Sequence, residues 1–107
     1  MRRNLIWVTA SLTLLACSEH STPVETGGTT IAVDDNFFGP PQLVLGPGGT
    51  VTWAWHGSSV HNVTFDDGPA SATQMRGQYQ RQFATAGTYR YHCTIHGVAM
   101  SGTVEVR

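Results

Sequence analysis

Residues 88–106 read TYRYHCTIHGVAMSGTVEV, and this stretch sets a cysteine, a histidine and a methionine between two runs of alternating residues. The alternation predicts two β-strands joined by a short connection. Within that connection, His96 follows Cys93 by three positions and Met100 follows His96 by four. Sulfur and imidazole gathered in one turn indicate a metal site, a thiol catalyst or a chance grouping.

The alternation also predicts which way the donor side chains point. Successive side chains of a strand lie on opposite faces, so residues two apart share a face. Three apolar faces each carry one donor: Tyr89, Tyr91 and Cys93; His61, Val63 and Phe65; Met100, Val104 and Val106. With His96 in the loop between two of these strands, the pattern allows four donors to converge at one pole of the fold.

The rest of the chain from Thr29 onward has the same texture. Short alternating runs such as TVTWAW are separated by Gly, Pro, Asp and Ser, and no window has the periodicity of a convincing amphipathic helix. Many short strands with frequent turns are typical of a β-sandwich or barrel. The sequence therefore predicts one all-β domain over residues 29–107.

The first 16 residues form a separate unit. Arg2 and Arg3 precede an apolar run from Leu5 to Ala16, which is the plan of an export signal. The run is shorter than the roughly 20 residues that a membrane-spanning helix needs. We expect residues 1–16 to be a signal peptide and the protein to reach the periplasm or the cell surface.

The signal ends in LLAC, which resembles the lipobox of bacterial lipoproteins, so Cys17 is a candidate for lipidation. The alternative is an ordinary cleaved signal in which Cys17 is incidental. Residues 17–28 are polar, with Pro23 and two glycines at the end, and read as a flexible tether. We expect contact with a membrane only through this possible N-terminal anchor.

Charge excludes one class of partner. Charged residues make up 12% of the chain and the formal net charge is −1, so there is no basic stripe for nucleic acid. If Arg2 and Arg3 leave with the signal, the remaining chain is mildly acidic.

The donor set itself favours copper. Thiolate and thioether suit Cu(I), imidazole suits both oxidation states, and two histidines with a cysteine and a distant axial methionine mark electron-transfer copper sites. The sequence thus predicts one copper ion held by the candidate ligands His61, Cys93, His96 and Met100.

The segments YHCTIHGVAMSGTVEV and GTVTWAWHGSSVHNVTFD resemble the cupredoxin family, in particular the small blue copper proteins of the plastocyanin and amicyanin type. The resemblance runs from about Thr29 to Arg107 and implies a Greek-key β-sandwich. It matches His61 to the ligand of the H-N-V motif, Cys93 to Y-x-C, His96 to C-x-x-H, and Met100 to the axial position before G-x-V-x-V.

The resemblance also implies a role. It suggests a type 1 copper protein that carries single electrons between redox partner proteins, works as a monomer and is not an enzyme. It further implies that Asn62 ties the two ligand loops together, as the matching residue does in relatives.

Other interpretations stay open at this point. Cys93 could be a buried structural cysteine, a disulfide partner of Cys17, or the nucleophile of an enzyme. Met100 could fill the core, and His61 could be a hydrogen-bonded core residue. The same donors would also suit a protein that stores or delivers copper, and a plain adhesion module would leave them unexplained. Three further histidines are expected at the surface or in the tether: His20, His56 and His92.

Overall fold

The computed structural model describes residues 29–107. The predicted signal peptide, the tether and the lipidation site at Cys17 lie outside the described residues. Eight strands form the domain: β1 (Thr30–Asp34), β2 (Phe37–Gly39), β3 (Gln42–Leu45), β4 (Gly49–Trp55), β5 (Thr64–Phe65), β6 (Gln78–Phe83), β7 (Gly87–Cys93) and β8 (Gly97–Val106). Within residues 29–107 there is no helix long and apolar enough to cross a bilayer.

The strands form two four-stranded sheets, in the orders β2-β1-β4-β6 and β3-β8-β7-β5. Strand β1 runs parallel to β4 and β3 runs parallel to β8, while β4 and β6, and β7 and β8, pair antiparallel. Only β1–β2 and β7–β8 pair as consecutive strands, and the other four pairings join strands that are not neighbours in sequence, so the chain crosses between the sheets several times. The predicted all-β sandwich is confirmed.

Aromatic side chains fill the space between the sheets. Trp53 of β4 meets Tyr91 of β7 edge-on at 5.4 Å between ring centroids, and it meets Phe65 of β5 at 5.5 Å. Each such pair contributes about 0.5–1.5 kcal/mol beyond the burial of its apolar area. The apolar faces predicted from alternation are thus the faces that pack against each other.

Arg81 covers the gap between the edge strands β6 and β5. Its guanidinium lies 4.4 Å from the ring centroid of Phe65 and 4.7 Å from that of Phe83. The same group donates two hydrogen bonds to Asp67, at 2.9 and 2.6 Å. These bonds lower the pKa of the Asp67 carboxyl and raise the pKa of Arg81.

The strands differ from expectation in two places. Strand β2 leaves no signal in the sequence, because three residues between a turn and Pro40 are too few to show alternation. Strand β5 is only two residues long, since residues 61–63 bond to the irregular segment around Ser71 and Gln74 instead of to a regular strand. His61 keeps its inward direction because the backbone stays extended there.

Candidate metal centre

Cys93 is the last residue of β7 and points into the core. Its side chain is fully buried and its thiol is free. The pairing of β7 with β8 shifts register between His92 and Cys93, where Cys93 comes to face Gly97. The regular pairing of β7 with β8 therefore ends at Cys93, just before the connection that carries His96.

His96 stands directly before β8, in the connection that follows Cys93. Gly97 has a φ of 63°, a left-handed conformation that glycine adopts without steric cost. The tight turn brings Nδ1 of His96 to 3.7 Å from Sγ of Cys93.

His61 reaches the same point from the connection between β4 and β5. Its backbone exchanges two hydrogen bonds of 3.0 Å with Gln74, and its carbonyl accepts a bond of 3.2 Å from Nε1 of Trp55. Its ring is buried, with Nδ1 at 3.9 Å from Sγ of Cys93.

The ligand atoms of His61, Cys93 and His96 all lie within 4.8 Å of one another. Two of the three residues are buried, and His96 reaches solvent. One sulfur and two imidazole nitrogens, gathered around a space of this size, fit copper because the set serves both of its oxidation states.

Met100 is the fourth residue of β8, so it lies inside this strand and not in the connection before it. Its side chain is 1% exposed and belongs to the same buried cluster as Cys93. It shares the inward face of β8 with Val104 and Val106, as predicted.

Asn62 connects the two halves of the centre. Its side-chain oxygen accepts a hydrogen bond of 3.0 Å from the backbone N–H of Thr94, and its Nδ2 donates to Oγ1 of Thr94 at 2.7 Å. The same amide also bonds to Thr73 at 2.9 Å and to Thr64 at 2.9 Å. The residue after His61 is therefore tied to the residue after Cys93.

Asp35 is a contact that the sequence did not indicate. Its carboxylate accepts hydrogen bonds from the backbone N–H groups of Ser58 and Ser59, from Oγ of Ser58 and from Nε2 of His61, at 2.9–3.1 Å. The bond from the Ser58 backbone, followed by that from His61, holds the pKa of Asp35 well below its usual range. An acid in a turn 26 positions away from the histidine leaves no trace in strand alternation.

Of the three histidines expected at the surface or in the tether, His56 and His92 lie outside the donor group, and His20 lies outside the described residues. His56 is exposed, and His92 points away from Cys93, with Nδ1 at 3.8 Å from Asp66. Alternation separates His92 from the site although it is the nearest histidine in sequence to Cys93.

Comparison with known proteins identifies the arrangement. A family model described as copper binding proteins, plastocyanin/azurin family, matches residues 25–107. This chain belongs to that family. The cupredoxin resemblance read from the motifs is therefore confirmed, and His61, Cys93 and His96 are positioned to bind one copper ion.

Two relatives show how similar the sequence is to other members of the family. The chain is 33% identical to plastocyanin from Scenedesmus fuscus over 84 residues, which is 65% of this chain and 86% of the relative. It is 33% identical to amicyanin from Paracoccus denitrificans over 90 residues, 78% of this chain and 68% of the relative.

Solved structures agree with the sandwich. An oxidised mutant of amicyanin superposes with a TM-score of 0.65 at 32% identity, covering 81% of this chain and 89% of that structure. A purple cupredoxin from Nitrosopumilus maritimus superposes with a TM-score of 0.62 at 26% identity, covering 73% and 98%.

Proposed function

We propose that this protein is an exported mononuclear blue copper protein that carries single electrons. The observation that supports this most directly is the position of Cys93 Sγ, which lies 3.9 Å from Nδ1 of His61 and 3.7 Å from Nδ1 of His96. Bound copper supplies the one-electron couple, and the protein supplies the fixed donors.

The residues around the donors suit a carrier because they restrict movement. Fast electron transfer needs a site that changes shape little between oxidation states. Burial of His61 and Cys93 and the Asn62–Thr94 bonds limit how far the ligand loops can shift. Met100 would serve as the axial ligand, an assignment supported by its burial on the inward face of β8 in the same cluster as Cys93.

Electron exchange would take place through the face at His96. His61 and Cys93 are buried, whereas His96 reaches solvent. It is flanked by apolar side chains that face water, because Ile95 is 49% exposed and Val98 is 88% exposed. Such a surface suits brief docking of a redox partner protein and does not require the protein to form an oligomer.

The test is to add Cu(II) to the metal-free domain, record the visible absorption and then perform voltammetry. A carrier gives an intense thiolate-to-copper band and a reversible one-electron wave. A tightly held ion without a reversible wave would instead favour storage or delivery of copper, and a colourless product would point to a different metal. None of these roles makes the protein an enzyme.

We further propose that the carrier works in the periplasm or at the cell surface, anchored through a lipid on Cys17. The support is the sequence of residues 1–17 alone. Mass spectrometry of the mature N-terminus, compared between the natural chain and Cys17→Ala, tests it. A protein that starts elsewhere than at residue 17, or a membrane fraction unaffected by Cys17→Ala, would contradict the anchor.

A further inference from the structure

The two-residue turn Asp35–Asn36 joins β1 to β2 and carries a carboxylate to the back of the metal centre. Asn36 has a φ of 75°, a left-handed conformation that asparagine tolerates better than most residues. Asp35 Oδ1 lies 3.1 Å from Nε2 of His61, on the side of the ring opposite the nitrogen that faces Cys93. The histidine thus lies between a carboxylate and the donor group.

This geometry decides where the imidazole proton sits. An ionised carboxylate only accepts hydrogen bonds, so Nε2 of His61 must be the donor. In the neutral ring the other nitrogen, Nδ1, then carries a free lone pair. That is the form of histidine that a metal requires, and it is present before the metal arrives.

The carboxylate is itself held in place. Ser58 and Ser59 donate their backbone N–H groups to it at 3.0 Å, and Oγ of Ser58 lies at 2.9 Å. Gly57 leaves the room for it, because a Cβ at that position would collide with the carboxylate and with the backbone of Asp35. Asp35 therefore also fastens the loop before His61 to the β1–β2 turn.

We propose that Asp35 is a positioning residue for the metal centre: it holds His61 as the Nε2–H tautomer, and its charge favours the oxidised ion over the reduced one. Only the effect of the Asp35 charge on the oxidised ion rests on the proposed copper function; the tautomer of His61 does not. A carboxylate behind a ligating histidine makes the ring a stronger donor. Its negative charge also stabilises Cu(II) more than Cu(I), since Coulomb attraction grows with the charge of the ion.

Two variants separate the two effects. Asp35→Asn keeps an oxygen where Oδ1 stands and removes the charge, so we expect His61 to retain its tautomer while the ratio of Cu(I) to Cu(II) affinity rises about tenfold. For one electron this equals a rise of about 59 mV in reduction potential. Asp35→Ala removes the acceptor, so both tautomers of His61 should be populated.

The tautomer is read from the ring nitrogen chemical shifts of the ¹⁵N-labelled, metal-free protein, and the potential from voltammetry of the copper-loaded protein. Asp34→Asn is the matched control, because it removes the same charge one residue away and Asp34 is not a hydrogen-bond partner of His61. If Asp35→Ala does not fold, Gly57→Ala should displace the carboxylate and give the same mixture of tautomers.

The proposal is overturned if His61 keeps one tautomer in the variant that lacks the acceptor, or if Asp35→Asn and Asp34→Asn have the same potential. Because the tautomer is measured without metal, its result does not depend on whether the protein carries electrons. A failure of the carrier function would instead show in the natural protein, as the lack of a reversible wave.

Discussion

Asn62 and Thr94 are joined by two hydrogen bonds, one from the Thr94 backbone at 3.0 Å and one to its hydroxyl at 2.7 Å. Each residue directly follows a donor, His61 or Cys93, and the two donors are 32 positions apart in the sequence. The spacing of the metal centre therefore depends on one side-chain amide.

Replacing that amide should loosen the centre and destabilise the fold. Asn62→Ala removes the four hydrogen bonds of a buried amide, and each such bond contributes about 0.5–1.5 kcal/mol to stability. Thr73→Val, which removes only an outer contact of the same amide, is the control and should cost less. Urea unfolding of the metal-free protein measures both, and equal losses would argue against a special role for the Asn62–Thr94 pair.

The visible absorption of the Cu(II) protein should distinguish the role of Cys93 from that of its neighbour His92. Cys93→Ser should abolish the intense visible band of the Cu(II) protein, because the band arises from the thiolate. His92→Ala should leave it in place, since His92 points away from the site toward Asp66. Absorption spectra of the two copper-loaded variants check this, and identical behaviour would mean that the ligands have been assigned wrongly.

The donors could be read from the sequence because their signals are local. Cys93 and His96 share a turn, and the position of His61 follows from its phase with Val63 and Phe65, which depends only on the geometry of an extended chain. Copper then followed from the donor types. Their approach in space, and the family, were confirmed by the structure and the comparisons.

Asp35 could not be read in the same way. Its contact with His61 joins a turn to a loop, and alternation describes which face a side chain takes but not which loops meet above the sheet. Alternation also does not fix where a strand begins. Strand β8 begins at Gly97, so Met100 lies inside the strand and not in the connection before it. The axial role of Met100 remains a prediction. The lipidation of Cys17 and the boundaries at residues 16 and 28 also remain predictions.

Gly102 should be essential for packing against β7. A Cβ there would collide with the ring and hydroxyl of Tyr91, which is buried between the sheets. Overpacking of this kind typically costs about 1–3 kcal/mol, so Gly102→Ala should lower the midpoint of urea unfolding clearly. Gly46→Ala is the control, because no atom lies within 4 Å of a Cβ built there. Equal midpoints for the two variants would contradict the expected collision.

Charge at Val98 should slow electron exchange without changing the copper site. Val98 is 88% exposed and two positions from His96, so Val98→Glu would place a carboxylate on the proposed docking face. Val44→Glu adds the same charge on β3, a strand that pairs with the far end of β8. Electron self-exchange rates, measured by NMR line broadening, should fall for Val98→Glu by about tenfold and change much less for Val44→Glu. Equal rates in the two variants would place docking elsewhere.

The Arg81–Asp67 pair should make part of the stability depend on pH. The pKa of Asp67 is lowered by its bonds to Arg81. The contribution of Asp67 to stability is therefore present above its ordinary pKa of 3.8 and is lost as the pH falls through the lower pKa of the folded state.

At pH 7, Asp67→Asn should cost up to about 1 kcal/mol of stability, because solvent screens so exposed a carboxylate. At a pH below the folded pKa of Asp67, the variant and the natural protein should unfold alike. Asp66→Asn is the control, since Asp66 is 64% exposed and lies 3.8 Å from Nδ1 of His92, beyond the length of a good hydrogen bond. Urea unfolding between pH 2 and 7 measures all three proteins, and a cost of Asp67→Asn that does not change with pH would show that the charge of Asp67 does not stabilise the fold.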